Sequence, residues 1–290
     1  MAITYNLDNR LHVLNTLLGD YQTWFSAVIA AASHGGQMPD TFEGLDKWLT
    51  TIPIDEFNID GKYSLQRDAL KVRHDEMLST AANASSADGF TQFSSLFTSF
   101  ISELQAFGQA IVLEEWGLDV LTGLKNKTIL ESDLAIEMER LSREGHPFCV
   151  ALVRIDDFEK IDVDHNAGNQ IIKIVAKHVL ESLRSYDDAY RIDRNYFILC
   201  LKQSDIIGGQ KGLERFRNIM EDAQETYSDS GTTKPLSVSS CVASPLPGDN
   251  MQELIDALHQ DLHQEVKERG EVVMHKEISP LERFVLKGDE

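Results

Sequence analysis

RSYDDAYRIDRNYF, residues 184–197, decides how the second half of this chain folds. A helix ends near Arg184. A short apolar strand follows at Ala189, Tyr190 and Ile192, and a second runs from Tyr196 to Leu201 through aromatic and aliphatic residues. Between them lies a polar tip, Asp193, Arg194 and Asn195. A tight turn between two strands favours glycine, whose missing Cβ permits positive φ and lets a ligand approach bare backbone. Three bulky polar side chains stand there instead. A ligand that needs bare backbone at the tip is excluded.

Outward from this hairpin, strands and helices alternate. Phe148 to Ile155 is a compact apolar run, read as a buried strand, and Gln170 to Leu183 is an amphipathic helix. Gly212 to Tyr227 reads as helix, and Leu236 to Ala243 as an alternating strand. Leu254 to Arg269 returns to helix, and Val272 to His275 closes as a short strand. The alternation predicts an α/β (α+β) domain over 118–278, with a central mixed sheet flanked by helices. Residues 279–290 read as a tail.

Residues 1–117 follow a different period. Leu11, Leu14, Leu18, Tyr21, Phe25 and Val28 alternate three and four apart, as do Phe93, Phe97, Phe100, Leu104, Phe107 and Ile111. Shorter helical pieces lie at Leu45 to Leu49 and Leu65 to Ala82, with breaks at Gly35–Gly36, Pro53 and Asn83 to Gly89. The pattern predicts an antiparallel helical bundle. The same stripes suit packing between two copies, so a homodimer held by residues 1–117 is expected.

Composition narrows the class. With 42% hydrophobic residues the 290-residue chain can bury one large core or two modest ones. A formal net charge of −20 repels nucleic acid and anionic membrane, so neither is expected as a partner. Cys149, Cys200 and Cys241 sit in apolar β-like runs without metal-type spacing, which reads as buried reduced thiols. No basic segment followed by an apolar core opens the chain, and no run of eighteen apolar residues occurs. A cytoplasmic protein without membrane insertion is expected.

The second half resembles the GGDEF domain of diguanylate cyclases, enzymes that condense two GTP into cyclic di-GMP. The resemblance runs from about Asp119 to His275. Asp119-Val-Leu121-Thr122-Gly123-Leu124-Lys-Asn126 is similar to the family's entry motif D-x-L-T-G-L-x-N. Ile155-Asp156-Asp-Phe158 matches the strand end that carries the first metal ligand. Arg184 to Phe197 occupies the signature hairpin in register, and Lys267 to Gly270 is similar to the late K-x-x-G.

Set against that resemblance, the catalytic positions are changed. A metal-holding carboxylate two residues before Asp156 is replaced by Arg154, and a cation cannot coordinate Mg²⁺. The signature glycines become Asp193 and Arg194, the active-site acid becomes Asn195, and its neighbour becomes Tyr196. The triphosphate-binding lysine becomes Glu159, and the guanine-reading pair falls at Asp162 and Asn169. Two-metal phosphoryl transfer depends on the metals. The resemblance therefore implies a domain that has lost its turnover, with no resident cofactor.

A different family site is retained. Cyclases of this family often carry a product-inhibition motif, R-x-x-D, five residues before the signature. Arg184-Ser-Tyr-Asp187 stands there, with five residues, Asp188 to Ile192, before Asp193. A further family arginine on the next helix falls at Arg215. Arg184, Asp187 and Arg215, with Arg191 of the Tyr190–Arg191 pair, form the expected cyclic di-GMP site. Guanidinium groups fork onto phosphate or guanine O6 and N7, and a carboxylate accepts from guanine N1–H and N2–H. The bundle is similar in length, and in its stretch to Trp48, to chemoreceptor zinc-binding bundles. Only Asp20, Glu43 and His74 fall near its ligand positions, which is not a tetrahedral set of N and S donors. His74 reads as a core residue, and zinc is not expected.

Two readings result. One is a catalytically inactive receptor for cyclic di-GMP that signals to a protein partner as yet unidentified. The other is a docking module on the same fold that binds no nucleotide.

Overall fold

The computed structural model describes residues 2–34, 36–37, 39, 44–52, 61–161, 165–229 and 232–275. The chain divides into two compact units, Met1–Leu118 and Asp119–Glu290. The first contains helices α1 (Ala2–His34), α2 (Gly44–Leu49), α3 (Lys62–Ala81) and α4 (Ala87–Glu115). Ser86 caps α4, its hydroxyl accepting from the Gly89 N–H.

The core of this unit follows the three-four spacing, with one shift. Leu14, Tyr21 and Val28 are buried as read, but Leu17 and Trp24 are buried more fully than Leu18 and Phe25, which pack at the margin. Both registers share the same anchor positions, and the helix turns its Leu17 side inward. Phe25 is held by stacking on Phe97 at 4.0 Å. On α4 all six residues read from sequence are buried, and Gly108, Val112 and Glu114 join them. This helix is long and apolar enough to cross a membrane by length and composition. Phe93, Phe97, Phe100 and Phe107, however, lie in the core of this unit, and Phe90, Thr91, Ser95, Thr98 and Ser102 face outward.

The second unit is built on a mixed six-stranded sheet in the order β1-β3-β4-β2-β7-β8. The strands are β1 (Lys125–Asn126), β2 (Phe148–Ile155), β3 (Asp188–Arg191), β4 (Tyr196–Lys202), β7 (Val238–Ala243) and β8 (Val272–Met274). Central β2 runs antiparallel to both β4 and β7, while β1–β3 and β7–β8 are parallel. Its odd-numbered residues, Cys149 to Ile155, pack on one face, and Phe148, Val150 and Leu152 pack on the other. A strand covered on both faces reads as a continuous apolar run, which is why it was visible in the sequence.

The first face is covered by α6 (Phe158–Ile161), α7 (His165–Ser182) and α8 (Ile206–Ala223), the second by α5 (Lys127–Glu144) and α9 (Met251–Gln264). The reading of helix to Tyr227 is corrected. The chain leaves α8 at Gln224, φ 50, and residues Thr226–Asp229 and Thr232–Pro235 pair as a separate hairpin, β5 and β6. Residues 276–290, which include the expected tail, lie outside the described residues.

Candidate functional site

The entry motif works as an anchor for the hairpin. Asp119 accepts from the Thr122 N–H at 3.0 Å and from its hydroxyl, while its own N–H donates to the Leu124 carbonyl at 2.8 Å. Gly123 closes the turn at φ 72, where a side chain would be strained. The turn leaves Asp119 Oδ1 to accept from Arg191 Nη1 at 3.1 Å, both side chains being 4% exposed. The placing of Arg191 among the dinucleotide ligands is therefore corrected. By strand alternation it shares an inward face with Ala189, and its guanidinium is enclosed with Asp119. The D-x-L-T and Tyr-Arg motifs are two halves of one buried ion pair.

Arg184, Asp187 and Arg215 do come together, at the C-terminal end of α7. Asp187 Oδ2 accepts from the Arg184 N–H at 3.1 Å and Oδ1 from the Lys202 N–H at 3.0 Å. Arg215, on α8, donates from Nε (3.1 Å) and Nη2 (2.6 Å) to the carbonyl of Ser182, the last residue of α7. A cation on the terminal carbonyl suits the negative end of the helix dipole. Each group keeps capacity beyond these bonds. A carboxylate has about four lone-pair sites and a guanidinium five N–H donors. Arg184 and Arg215 are exposed and Asp187 half-buried.

The position of the family's metal centre is organised differently. Arg154 lies on β2 between Tyr196 and Ser239 of the neighbouring strands. Its guanidinium is 3.6 Å from Asp156 Oδ1 and 3.5 Å from the Leu262 carbonyl. Asp156, 4% exposed, accepts from the Ser239 hydroxyl at 2.8 Å, the Ser237 hydroxyl at 2.9 Å and the Gly270 N–H at 3.0 Å. These are three hydrogen bonds around about four lone-pair sites, with the Arg154 cation alongside as an ion pair. The chain itself occupies most of the carboxylate and sets a cation beside it, a poor fit to Mg²⁺, which requires open, hard oxygen ligands. Among the described residues no three His, Cys, Asp or Glu gather as a metal set.

The hairpin tip is filled in the same way. The Asn195 carbonyl accepts from the Ile155 N–H at 2.9 Å, and Asp193 Oδ1 accepts from the Arg194 N–H at 2.7 Å. Arg194 extends over the Phe158 ring, 5.9 Å from its centroid. Tyr196 meets His259 edge-on at 4.8 Å, with its hydroxyl 3.5 Å from His263 Nε2. Burial holds the His259 pKa below its ordinary value, and the nearby His263 adds to this against the pull of Asp256.

On the side where the family binds triphosphate, Glu159 is exposed and Asn169 half-buried, while Asp162 lies outside the described residues. Asp157, at φ 53, is bonded by Lys160 (2.8 Å) and paired with Arg269 (3.2 Å). Those cations hold its pKa below the usual carboxylate range. The backbone N–H groups of Lys267 and Glu268 both donate to the Glu271 carboxylate, at 2.9 and 3.3 Å, and lower its pKa. An internal carboxylate thus occupies a pair of amides suited to an anion.

Two features escaped sequence reading. Ser237 and Ser239 enclose Asp156 from eighty residues away, and nothing in their local pattern marks them. A charged network also joins the sheet edge to α5. Lys125 reaches Asp133 (2.7 Å) and Asp188 (2.9 Å), and Lys202 reaches Asp188 (2.7 Å) and Glu137 (3.4 Å). Burial alone would raise the Asp188 pKa, but the two lysines outweigh it and the net shift is downward. The same bonds overcome burial at both lysines and raise theirs. The three cysteines are free and buried, and burial pushes the Cys149 thiol up to about 12.

In the first unit, His74 is buried against Tyr21 (5.7 Å, edge-on) and Phe100 (5.4 Å). Asp20 is exposed, and Glu43 lies outside the described residues.

The mixed sheet, the anchored hairpin and the K-x-x-G glycine bonded to Asp156 define a cyclase-like domain. The model of the family "Diguanylate cyclase, GGDEF domain" matches residues 117–271, and the chain belongs to that family. Diguanylate cyclase DgcP of Pseudomonas aeruginosa is 35% identical over 101 residues, 34% of this chain and 15% of that protein. Diguanylate cyclase DosC of Escherichia coli is 27% identical over 132 residues, 45% of this chain and 29% of that protein. The chain thus spans less than a third of the length of either relative. The GGDEF domain of DgcB from Caulobacter crescentus, solved in complex with c-di-GMP, superposes with a TM-score of 0.51 at 20% identity. That match covers 56% of this chain and 96% of that one.

Proposed function

We propose that this protein is a receptor for cyclic di-GMP whose cyclase-type site makes no product, and that it acts as a homodimer reporting to a protein partner. The observation that carries the reading is the meeting of Arg184, Asp187 and Arg215 at the end of α7, Asp187 and Arg215 braced by backbone and Arg184 by Tyr186, each with donors or acceptors to spare. Preorganisation of that kind lowers the ordering cost of binding. Two guanidinium groups and a carboxylate match the phosphates and guanine edge of a cyclic dinucleotide. The fold neighbour DgcB was solved with c-di-GMP, which supports the ligand class.

Loss of turnover is supported by the three hydrogen bonds and the cation that enclose Asp156 and by Arg154, Asn195 and Glu159 at positions where the family's chemistry needs acids and a lysine. Without two metals, the main stabilisation of the phosphoryl-transfer transition state is missing. Isothermal titration of the full chain with cyclic di-GMP, and separately with GTP and Mg²⁺, tests the reading. Heat with the dinucleotide and none with GTP is expected. Silence with the dinucleotide leaves the docking-module reading standing. Product formed from GTP with Mg²⁺ or Mn²⁺ above a buffer control contradicts the inactive site. A monomer by light scattering at micromolar concentration refutes the homodimer.

A further inference from the structure

Arg184 to Asp187 form a closed turn. The Asp187 N–H donates to the Arg184 carbonyl at 3.0 Å, and the Asp187 carboxylate returns to the Arg184 N–H at 3.1 Å. Ser185 and Tyr186 therefore occupy the two corner positions. Tyr186 is 46% exposed, so burial does not account for an aromatic there. A lone exposed aromatic needs no explanation in general. This one is tied to the binding residues: Arg184 Nη1 donates to the Tyr186 hydroxyl at 3.1 Å, and the guanidinium carbon stands 5.9 Å from the ring centroid. The cation thus reaches over one side of the ring as it bonds the hydroxyl, and the exposure that remains is surface Arg184 does not cover.

We infer that Tyr186 is a further recognition residue of the dinucleotide site: its ring stacks on a guanine base, and its hydroxyl holds the Arg184 guanidinium in a resting position until ligand arrives. The inference rests on the cyclic di-GMP reading above and deepens it. A guanine offers an aromatic face as well as its polar edge, and aromatic side chains recognise that face without regard to sequence. One four-residue turn then supplies a stacking surface, a cation and a carboxylate acceptor. Binding exchanges the Arg184–Tyr186 hydrogen bond for bonds from the guanidinium to the ligand, while the turn itself stays closed.

The test is calorimetric titration of cyclic di-GMP into the full-length wild type, Tyr186→Ala, Tyr186→Phe and Arg184→Ala. Tyr186→Ala should bind about ten- to a hundredfold more weakly, the usual range for losing one base–aromatic stack. Tyr186→Phe keeps the ring and releases Arg184, so its affinity should equal or exceed that of the wild type. The melting temperatures of the unliganded variants should match the wild type, and the fall in guanine absorbance on binding should shrink in Tyr186→Ala alone of the two Tyr186 variants. Tyr186→Ala binding as well as the wild type while Arg184→Ala is weakened overturns the inference and leaves the receptor reading intact. Equal weakening in the alanine and phenylalanine variants overturns the stacking role. A wild type that binds nothing overturns the reading and the inference together.

Discussion

At the tip of the β3–β4 hairpin, Arg194 lies over Phe158, Tyr196 against His259, and Arg154 beside an already enclosed Asp156. At its foot, Arg184, Asp187 and Arg215 are bonded to backbone groups and to an exposed tyrosine, with polar capacity remaining. Both ends carry similar residue types. The difference lies in what satisfies them. Arginines laid against rings or a buried carboxylate become structure, whereas at the foot Arg184 and Arg215 lie at the surface with donors to spare beside Asp187. Arg191, only a few residues from either end, shows how sharply the two conditions divide: buried with Asp119, it belongs to the scaffold.

Breaking that comparison starts with the scaffold, where the largest effect is expected. Arg191→Ala leaves Asp119 buried without its cation and should cost about 3–5 kcal/mol of unfolding free energy, the usual loss for half of a buried pair. Urea unfolding reads this directly, and a loss under about 1 kcal/mol would reopen a ligand role for Arg191. Arg154→Ala should cost less, on the order of 1–3 kcal/mol, because the serines and Gly270 still satisfy Asp156. Arg154→Asp restores the family's acid but places a second carboxylate beside Asp156. It should lower stability further and yield no cyclic di-GMP from GTP, as followed by chromatography.

The smallest effect concerns pH. The Asp188 pKa is lowered in the folded state, so its contribution is full above the unfolded value near about 4 and fades as pH falls through the folded value. Lys125 and Lys202 have raised values, so theirs is full below about 10.4 and fades as pH rises past the folded values. Urea midpoints should therefore be level across neutral pH and drop at both extremes, and Asp188→Asn should flatten both drops. An unchanged profile in Asp188→Asn would remove the network from the account.

How much of this was legible before the structure depends on where each signal resides. Phe148 to Ile155 announced itself because every residue but Arg154 is buried. The α5 helix was missed because its pattern is broken, with Glu137 buried and Ile136 exposed. The end of α8 was misplaced because Tyr227 continues the spacing of Leu213, Phe216 and Met220, while the break depends on the left-handed backbone of Gln224. At the site, motif spacing brought Arg184, Asp187 and Arg215 to one corner. It could not separate Arg191 from them, since burial against Asp119 is a property of the folded sheet. The serines around Asp156 were equally silent, being ordinary strand residues until β2 and β7 are paired.

The central claim is that the foot of the hairpin binds and the tip does not. Calorimetric titration of cyclic di-GMP into Arg184→Ala and Asp193→Gly, side by side with the wild type, tests it most directly. Arg184→Ala removes charge-assisted bonds of about 1.5–3 kcal/mol, so its affinity should fall about ten- to a hundredfold. Asp193→Gly, at the exposed tip, should stay within about twofold of the wild type. The reverse pattern, with Asp193→Gly abolishing binding and Arg184→Ala indistinguishable from the wild type, would contradict the account and place the ligand at the hairpin tip.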